Sequence, residues 1–203
     1  MADLLHAGTG SVWCLSSQPP ILSEPPKHPA IAVILRAHPL LTEDRQQQLL
    51  RALRILQQIT EATLWLVPFQ LDPISEKGAD LTLARTLYQG LRANSQIVCL
   101  RDPRELKGLL GQARLVISMR YHGLIMAAAS GCRCFGLSYD PKVTTLMQSL
   151  QMPYWELEQM PTDPQLISEA WMSCYHSKVG LTSGQIQQWQ QQSQTHARLL
   201  EKL

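Results

Sequence analysis

The stretch 114–143 constrains the fold more than any other part of the chain. It opens on Leu115, Val116 and Ile117, a short apolar run with the β-branched content of a strand buried on both faces. The run ends abruptly in Ser118, Arg120, Tyr121 and His122, and 123–130 then continues with the Gly, Leu, Ile, Met and Ala content of a buried helix. A strand of this kind belongs in a parallel sheet covered by helices, and such sheets bind ligands in the crevice outside the carboxyl ends of their strands. Arg120 and His122 fall at that end, beside a helix amino terminus that favours anions. Taken alone, Arg120 reads equally well as a surface charge and His122 as a capping or core histidine. A second run, Cys134-Phe135-Gly136-Leu137, ends in Ser138-Tyr139-Asp140-Pro141-Lys142, so two successive strand ends carry polar groups and together they suggest a pocket.

The rest of the chain repeats the alternation. Strands are expected at 30–35, 63–67, 96–100 and 114–117. Helices are expected at 43–61 behind Thr42, 78–91, 103–110, 142–150, 163–176 and 183–203, with a loop around Pro153. This succession predicts an α/β fold, a Rossmann-like parallel sheet with helices on both faces. Residues 1–29, with Pro19, Pro20, Pro25, Pro26 and Pro29, read as a linker or the remnant of a preceding lobe, carrying one apolar piece at 11–15 that reads as a short strand or a docking segment. The lobe itself spans 30–175. Residues 176–203 form a glutamine-rich terminal helix whose Ile186, Trp189, Leu199 and Leu200 give it an apolar stripe.

Arg36 follows the first strand and falls on the same sheet edge as Arg120 and His122. A guanidinium presents a planar fork of donors that matches carboxylate and phosphate oxygens. Around these three, Ser118, Tyr139 and Lys142 are candidates for substrate contact, and Gly123 permits close approach of a helix amino terminus to an anion or close packing of helix on strand. Asp72 and Asp80 read as turn formers. The five cysteines, at 14, 99, 132, 134 and 174, show no metal-ligand spacing, and Cys132 and Cys134 read as packing residues of a reducing compartment. No metal cluster is visible. A net charge of +2 without a basic run lacks the footprint of nonspecific nucleic-acid binding. No secretory leader is evident at the start, and no apolar run approaches the ~18 residues of a spanning helix, so the reading is a cytoplasmic protein without a transmembrane segment.

The segments SMRYHGLIMAAASG (118–131) and GLSYDPKV (136–143), with VILRAHP (33–39) and LVPFQLD (66–72), resemble the C-terminal half of polysaccharide pyruvyl transferases of the CsaB type over about 30–153. The resemblance implies a lobe of a GT-B transferase, with phosphoenolpyruvate as donor substrate and no further cofactor. It implies transfer of pyruvate, as a ketal, to sugar hydroxyls of a cell-envelope or extracellular polysaccharide, the glycan acceptor being free or lipid-linked. It also implies that the facing N-terminal lobe lies upstream or on another chain. Under it His122 is the general acid or base, and Arg36 and Arg120 hold the donor's carboxylate and phosphate. Two further readings stay open: a nucleotide-sugar glycosyltransferase lobe, and a noncatalytic lobe complementing another chain.

Overall fold

The computed structural model describes residues 12–20, 26, 28–71, 79–91, 94–177 and 180–200, the last helix with side chains to 194. Six strands, β1 (Ala30–Ile34), β2 (Thr63–Leu66), β3 (Ser95–Ile97), β4 (Leu115–Ser118), β5 (Arg133–Ser138) and β6 (Tyr154–Glu156), form one sheet in the order β3-β2-β1-β4-β5-β6. All neighbours pair in parallel. The α/β fold expected from the alternation is the one observed. Strand β6, in a stretch read as loop, is a difference. It has three half-buried residues after Pro153 and pairs only at the sheet edge, too short for a periodic pattern to mark it.

Helices α1 (Glu43–Thr60), α2 (Ala79–Gly90) and α6 (Pro164–His176) cover one face, and α3 (Pro103–Gln112), α4 (Tyr121–Ala129) and α5 (Pro141–Ser149) the other. Residues alternating along each strand feed two separate cores. Ile31 and Val33 of β1 pack with α1 and α2, while Ala32 and Ile34 pack with α3 and α4. Three of the helices share one starting device: Asp102, Asp140 and Asp163 each accept a hydrogen bond from the backbone N–H two residues on, with proline at the first helical position.

Residues 12–18 dock on the α3–α4 face. Trp13, in a 3₁₀ turn (Val12–Cys14), is buried and stacks on Trp189 of α7 (Ser183–Leu200) at 5.5 Å between ring centroids. The Lys107 ammonium, itself buried, donates to the Leu15 carbonyl at 2.6 Å, and burial holds its pKa below the ordinary lysine value.

The strand order reverses between β1 and β4. From β1 the chain builds outward through β2 and β3, and from β4 it builds the other way through β5 and β6. A crevice opens at such a reversal, on the carboxyl edge, because the loops leaving the two central strands diverge to opposite sides. The loop after β1 carries Arg36, and the turn after β4 carries Arg120 and His122.

Candidate functional site

The two central loops are tied where they leave the sheet. Ile34 pairs with Ser118, the Met119 N–H donates to the Ile34 carbonyl at 2.9 Å, and the Arg36 N–H points at the Met119 sulfur at 3.4 Å. Arg36 and Arg120 therefore stand on neighbouring strand ends, as the sequence spacing suggests, but in different circumstances.

Arg36 is half-buried, and among the described residues no carboxylate lies within ion-pairing distance of it. Its Nη1 donates to the Tyr139 hydroxyl at 2.7 Å, with the guanidinium carbon 5.2 Å from the Tyr139 ring centre. The His38 ring leans on the same tyrosine, 4.7 Å between centroids. The Leu40 N–H donates to His38 Nδ1 at 3.2 Å. Tyr139 thus joins the end of β5 to the loop after β1 and fixes Arg36 and His38 on either side of one ring.

Arg120 is committed. Its Nη2 donates to Asp80 Oδ2 and, at 3.1 Å, to Gln70 Oε1. Asp80, only 2% exposed, also accepts from the backbone N–H of Ala37 at 3.4 Å and of Gln70 at 3.2 Å. One carboxylate at the start of α2 therefore ties the loops after β1 and β2 to the turn after β4. Its charge balances that of Arg120, while Arg120 Nε is buried and has no hydrogen-bond partner among the described residues. Asp80 is more than the turn former its sequence suggests; Asp72 lies outside the described residues. The only sequence sign of Asp80's role is an acid in the first turn of a predicted helix, which describes many surface residues equally well.

The remaining candidates sort by what they touch. Ser118 is fully buried; its hydroxyl accepts from the Arg120 N–H at 2.9 Å and donates to the Arg120 carbonyl at 3.1 Å, so it shapes the turn. Gly123 packs tightly: a Cβ there would lie 2.8 Å from Ile34 Cδ1 and 3.0 Å from Ser118 Oγ. His122, half-buried, is the second residue of α4, its ring edge-on to Tyr121. The Arg120 side chain does not cap α4, so the amino terminus of that helix carries its positive end into the crevice. Lys142 is exposed and pairs with Asp140 at 3.4 Å. The Lys142 backbone N–H first, then the nearby charges of Lys142 and Arg36, hold the Asp140 carboxyl below its ordinary pKa.

Two hollows flank β5 and β6. One of about 280 Å³ lies at their carboxyl ends, walled by Ser138, Tyr139, Thr144, Glu156 and Glu158. A larger one of about 530 Å³ lies towards their amino ends, among Cys134, Met152, Tyr154, Cys174 and Leu181. Among the described residues no group of three His, Cys, Asp or Glu side chains is placed to hold a metal ion, and no helix is long and apolar enough to cross a membrane.

Strand order, covered faces and a crevice at the central reversal define a Rossmann-like lobe of the kind found in GT-B proteins. The solved structures it resembles are sugar-handling enzymes of that build. A putative UDP-N-acetylglucosamine 2-epimerase from Listeria monocytogenes superimposes with a TM-score of 0.58 at 13% identity, over 84% of this chain and 45% of its own. The Methanocaldococcus jannaschii UDP-GlcNAc 2-epimerase gives 0.58 at 10% identity, over 86% and 45%. The calicheamicin glycosyltransferase CalG4 gives 0.54 at 15%, over 93% and 43%. The chain spans less than half the length of each, and at these identities the likeness is one of fold. No curated protein matches the sequence. The family model for polysaccharide pyruvyl transferase matches residues 12–141, and the chain belongs to that family.

Proposed function

We propose that this lobe binds phosphoenolpyruvate at the crevice between β1 and β4 and serves transfer of its pyruvyl group, as a ketal, to two hydroxyls of a glycan. Family membership supports a transferase, and the observation that carries the donor assignment is the state of Arg36. Among the described residues it is a guanidinium without a carboxylate partner, aimed by Tyr139, on the sheet edge where such folds take ligands. Phosphoenolpyruvate carries both groups such a fork binds, a carboxylate and a phosphate. The amino terminus of α4, on the same sheet edge, adds backbone donors.

The reaction needs two protons delivered, one to the donor's methylene carbon and one to the departing phosphate, and two removed from the sugar hydroxyls. Protonation of the donor's methylene carbon leaves an oxocarbenium-like centre at C2; one sugar hydroxyl adds there and loses its proton. Phosphate then departs with the C2–O bond, taking up one proton, and the second hydroxyl adds and loses its own. An imidazole titrates near enough to neutrality to give or take these protons, and His122, on the first turn of α4, is the residue assigned to it. Fixed positive charge from Arg36 favours phosphate departure.

The test is equilibrium binding by calorimetry with the full chain. Phosphoenolpyruvate should bind and uridine monophosphate should not, and Arg36→Ala should abolish the heat. Preference for the nucleotide, or unchanged phosphoenolpyruvate binding in the variant, overturns the donor site.

A further inference from the structure

The hollow of about 280 Å³ at the carboxyl ends of β5 and β6 differs in chemistry from the crevice beside it. The crevice presents donors and positive charge. The hollow is lined by carboxylate and hydroxyl side chains, with no basic side chain among the described residues that wall it. The groups are also ordered. Ser138 Oγ shares its one proton between Thr144 Oγ1 at 2.8 Å and the Asp140 carbonyl at 3.0 Å, and Thr144 Oγ1 in turn donates to Glu156 Oε1 at 3.4 Å. Gln159 Nε2 holds the other oxygen, Oε2, at 3.3 Å. Glu156 is thus fixed from both sides in a half-buried position, with lone pairs to spare, since a carboxylate offers about four acceptor sites.

Such a set repels an anion and suits a neutral ligand rich in O–H donors. Its size, somewhat below the roughly 300–1,000 Å³ of pockets for drug-sized ligands, suits a single sugar ring. Tyr139 is the shared wall, lining the hollow while its hydroxyl takes the Arg36 hydrogen bond. A ring seated in the hollow is therefore next to whatever anion Arg36 holds.

We propose that this hollow is a polyol subsite, taking a pyranose of the acceptor glycan through hydrogen bonds from its hydroxyls to Glu156 and Thr144. The assignment deepens the pyruvyl-transfer reading and rests on it for the word acceptor; the chemistry of the hollow stands independently. It divides the carboxyl edge into a donor half at β1 and β4 and a hydroxyl-binding half at β5 and β6.

Backbone-amide NMR of the full chain separates the two. Methyl glycosides of glucose, galactose and mannose, titrated singly at millimolar concentrations, should shift amides at 138–145 and 156–158 for at least one sugar. Glu156→Gln should weaken that binding about 10- to 100-fold, the loss expected for a hydrogen bond to a charged group, and leave phosphoenolpyruvate shifts near Arg36 and Tyr139 unchanged. Thr144→Val, which keeps the carboxylate, serves as a second variant and should weaken sugar binding by a smaller factor. Phosphoenolpyruvate shifts with none from any of the three sugars overturn the subsite and leave the donor site standing. Sugar shifts equal in wild type and Glu156→Gln also overturn it. Sugar shifts lost in Glu156→Gln, without any response to phosphoenolpyruvate, uphold the subsite and sink the donor reading.

Discussion

Arg120, in the turn after β4, places Nη2 on Oδ2 of Asp80, forty residues earlier at the start of α2, with side-chain exposures of 14% and 1%. The pair is the fastener of the carboxyl edge. Through Asp80 it also holds the backbone of Ala37 and Gln70, so the loops that frame the crevice are fixed relative to one another. Preorganisation of this kind lowers the cost of binding, because the loops need not be ordered by the ligand.

Breaking the pair on one side should therefore be costly. Asp80→Asn leaves a largely buried guanidinium without its counter-charge and should lower unfolding free energy by about 3–5 kcal/mol. Replacing both, as Asp80→Leu with Arg120→Met, should recover a large part of that loss, since removing a buried pair together is far cheaper than orphaning one member. Urea denaturation of the three proteins decides it; a single-variant loss below about 0.5 kcal/mol would show that the pair contributes little.

Gly123 should resist even one added methyl. The new Cβ would meet Ile34 Cδ1, Ser118 Oγ and, at 3.2 Å, Phe69 Cζ, side chains that themselves sit in full core or hold the Arg120 turn. Gly123→Ala should cost about 1–3 kcal/mol, as overpacking does. Gly184→Ala, near the start of α7 with no atom of the described residues within 4 Å of the new carbon, is the control and should change stability by no more than about 0.5 kcal/mol. Thermal unfolding of both variants is the measurement.

Much of the sheet was legible because its strands are continuous apolar runs and its helices carry Asp-Pro starts, signals that act over a few residues. The placement of Arg36, Arg120 and His122 on one edge followed from the same local pattern. What each arginine does could not follow from it. Arg120 is neutralised by Asp80 across forty positions, and Arg36 is aimed by Tyr139 across one hundred and three. These are tertiary choices that spacing does not encode. Ser118 illustrates the same limit: a serine ending a strand serves a ligand or its own turn, and only the 2.9 Å bond from the Arg120 N–H shows which groups it meets. Strand β6 escaped because three residues beside a proline carry no period.

Arg36 and Tyr139 make a graded pair of variants for donor binding. Arg36→Lys keeps the charge and loses the fork, so phosphoenolpyruvate affinity should fall about 10-fold or more, since each 1.4 kcal/mol is a factor of ten and a charged hydrogen bond is worth about 1.5–3 kcal/mol. Tyr139→Phe leaves Arg36 in place without its 2.7 Å anchor and should weaken binding by a smaller factor, through loss of aim. Calorimetric titration gives the order; equal losses would place Tyr139 in contact with the donor itself.

The thiols predict how stability depends on alkaline pH. Burial pushes the Cys132 thiol up to about 12 and the Cys174 thiol up to about 11. Cys134, fully enclosed, is also pushed well above its ordinary value by burial. In the unfolded chain each thiol ionises near its ordinary value of about 8.5. Below that value both states hold the proton and these groups leave stability untouched. As pH rises from about 9 towards 12 the unfolded chain loses protons that the folded chain keeps. Folded cysteines raised in pKa therefore cost stability over this window. For Cys132 alone the loss approaches about 4 kcal/mol at its upper end. Urea midpoints measured from pH 7 to 11 should be flat to about pH 8.5 and then fall, and Cys132→Ala with Cys174→Ala, although less stable at neutral pH, should flatten the alkaline limb. An alkaline limb of unchanged slope in the double variant would assign the fall to lysine and tyrosine titration instead.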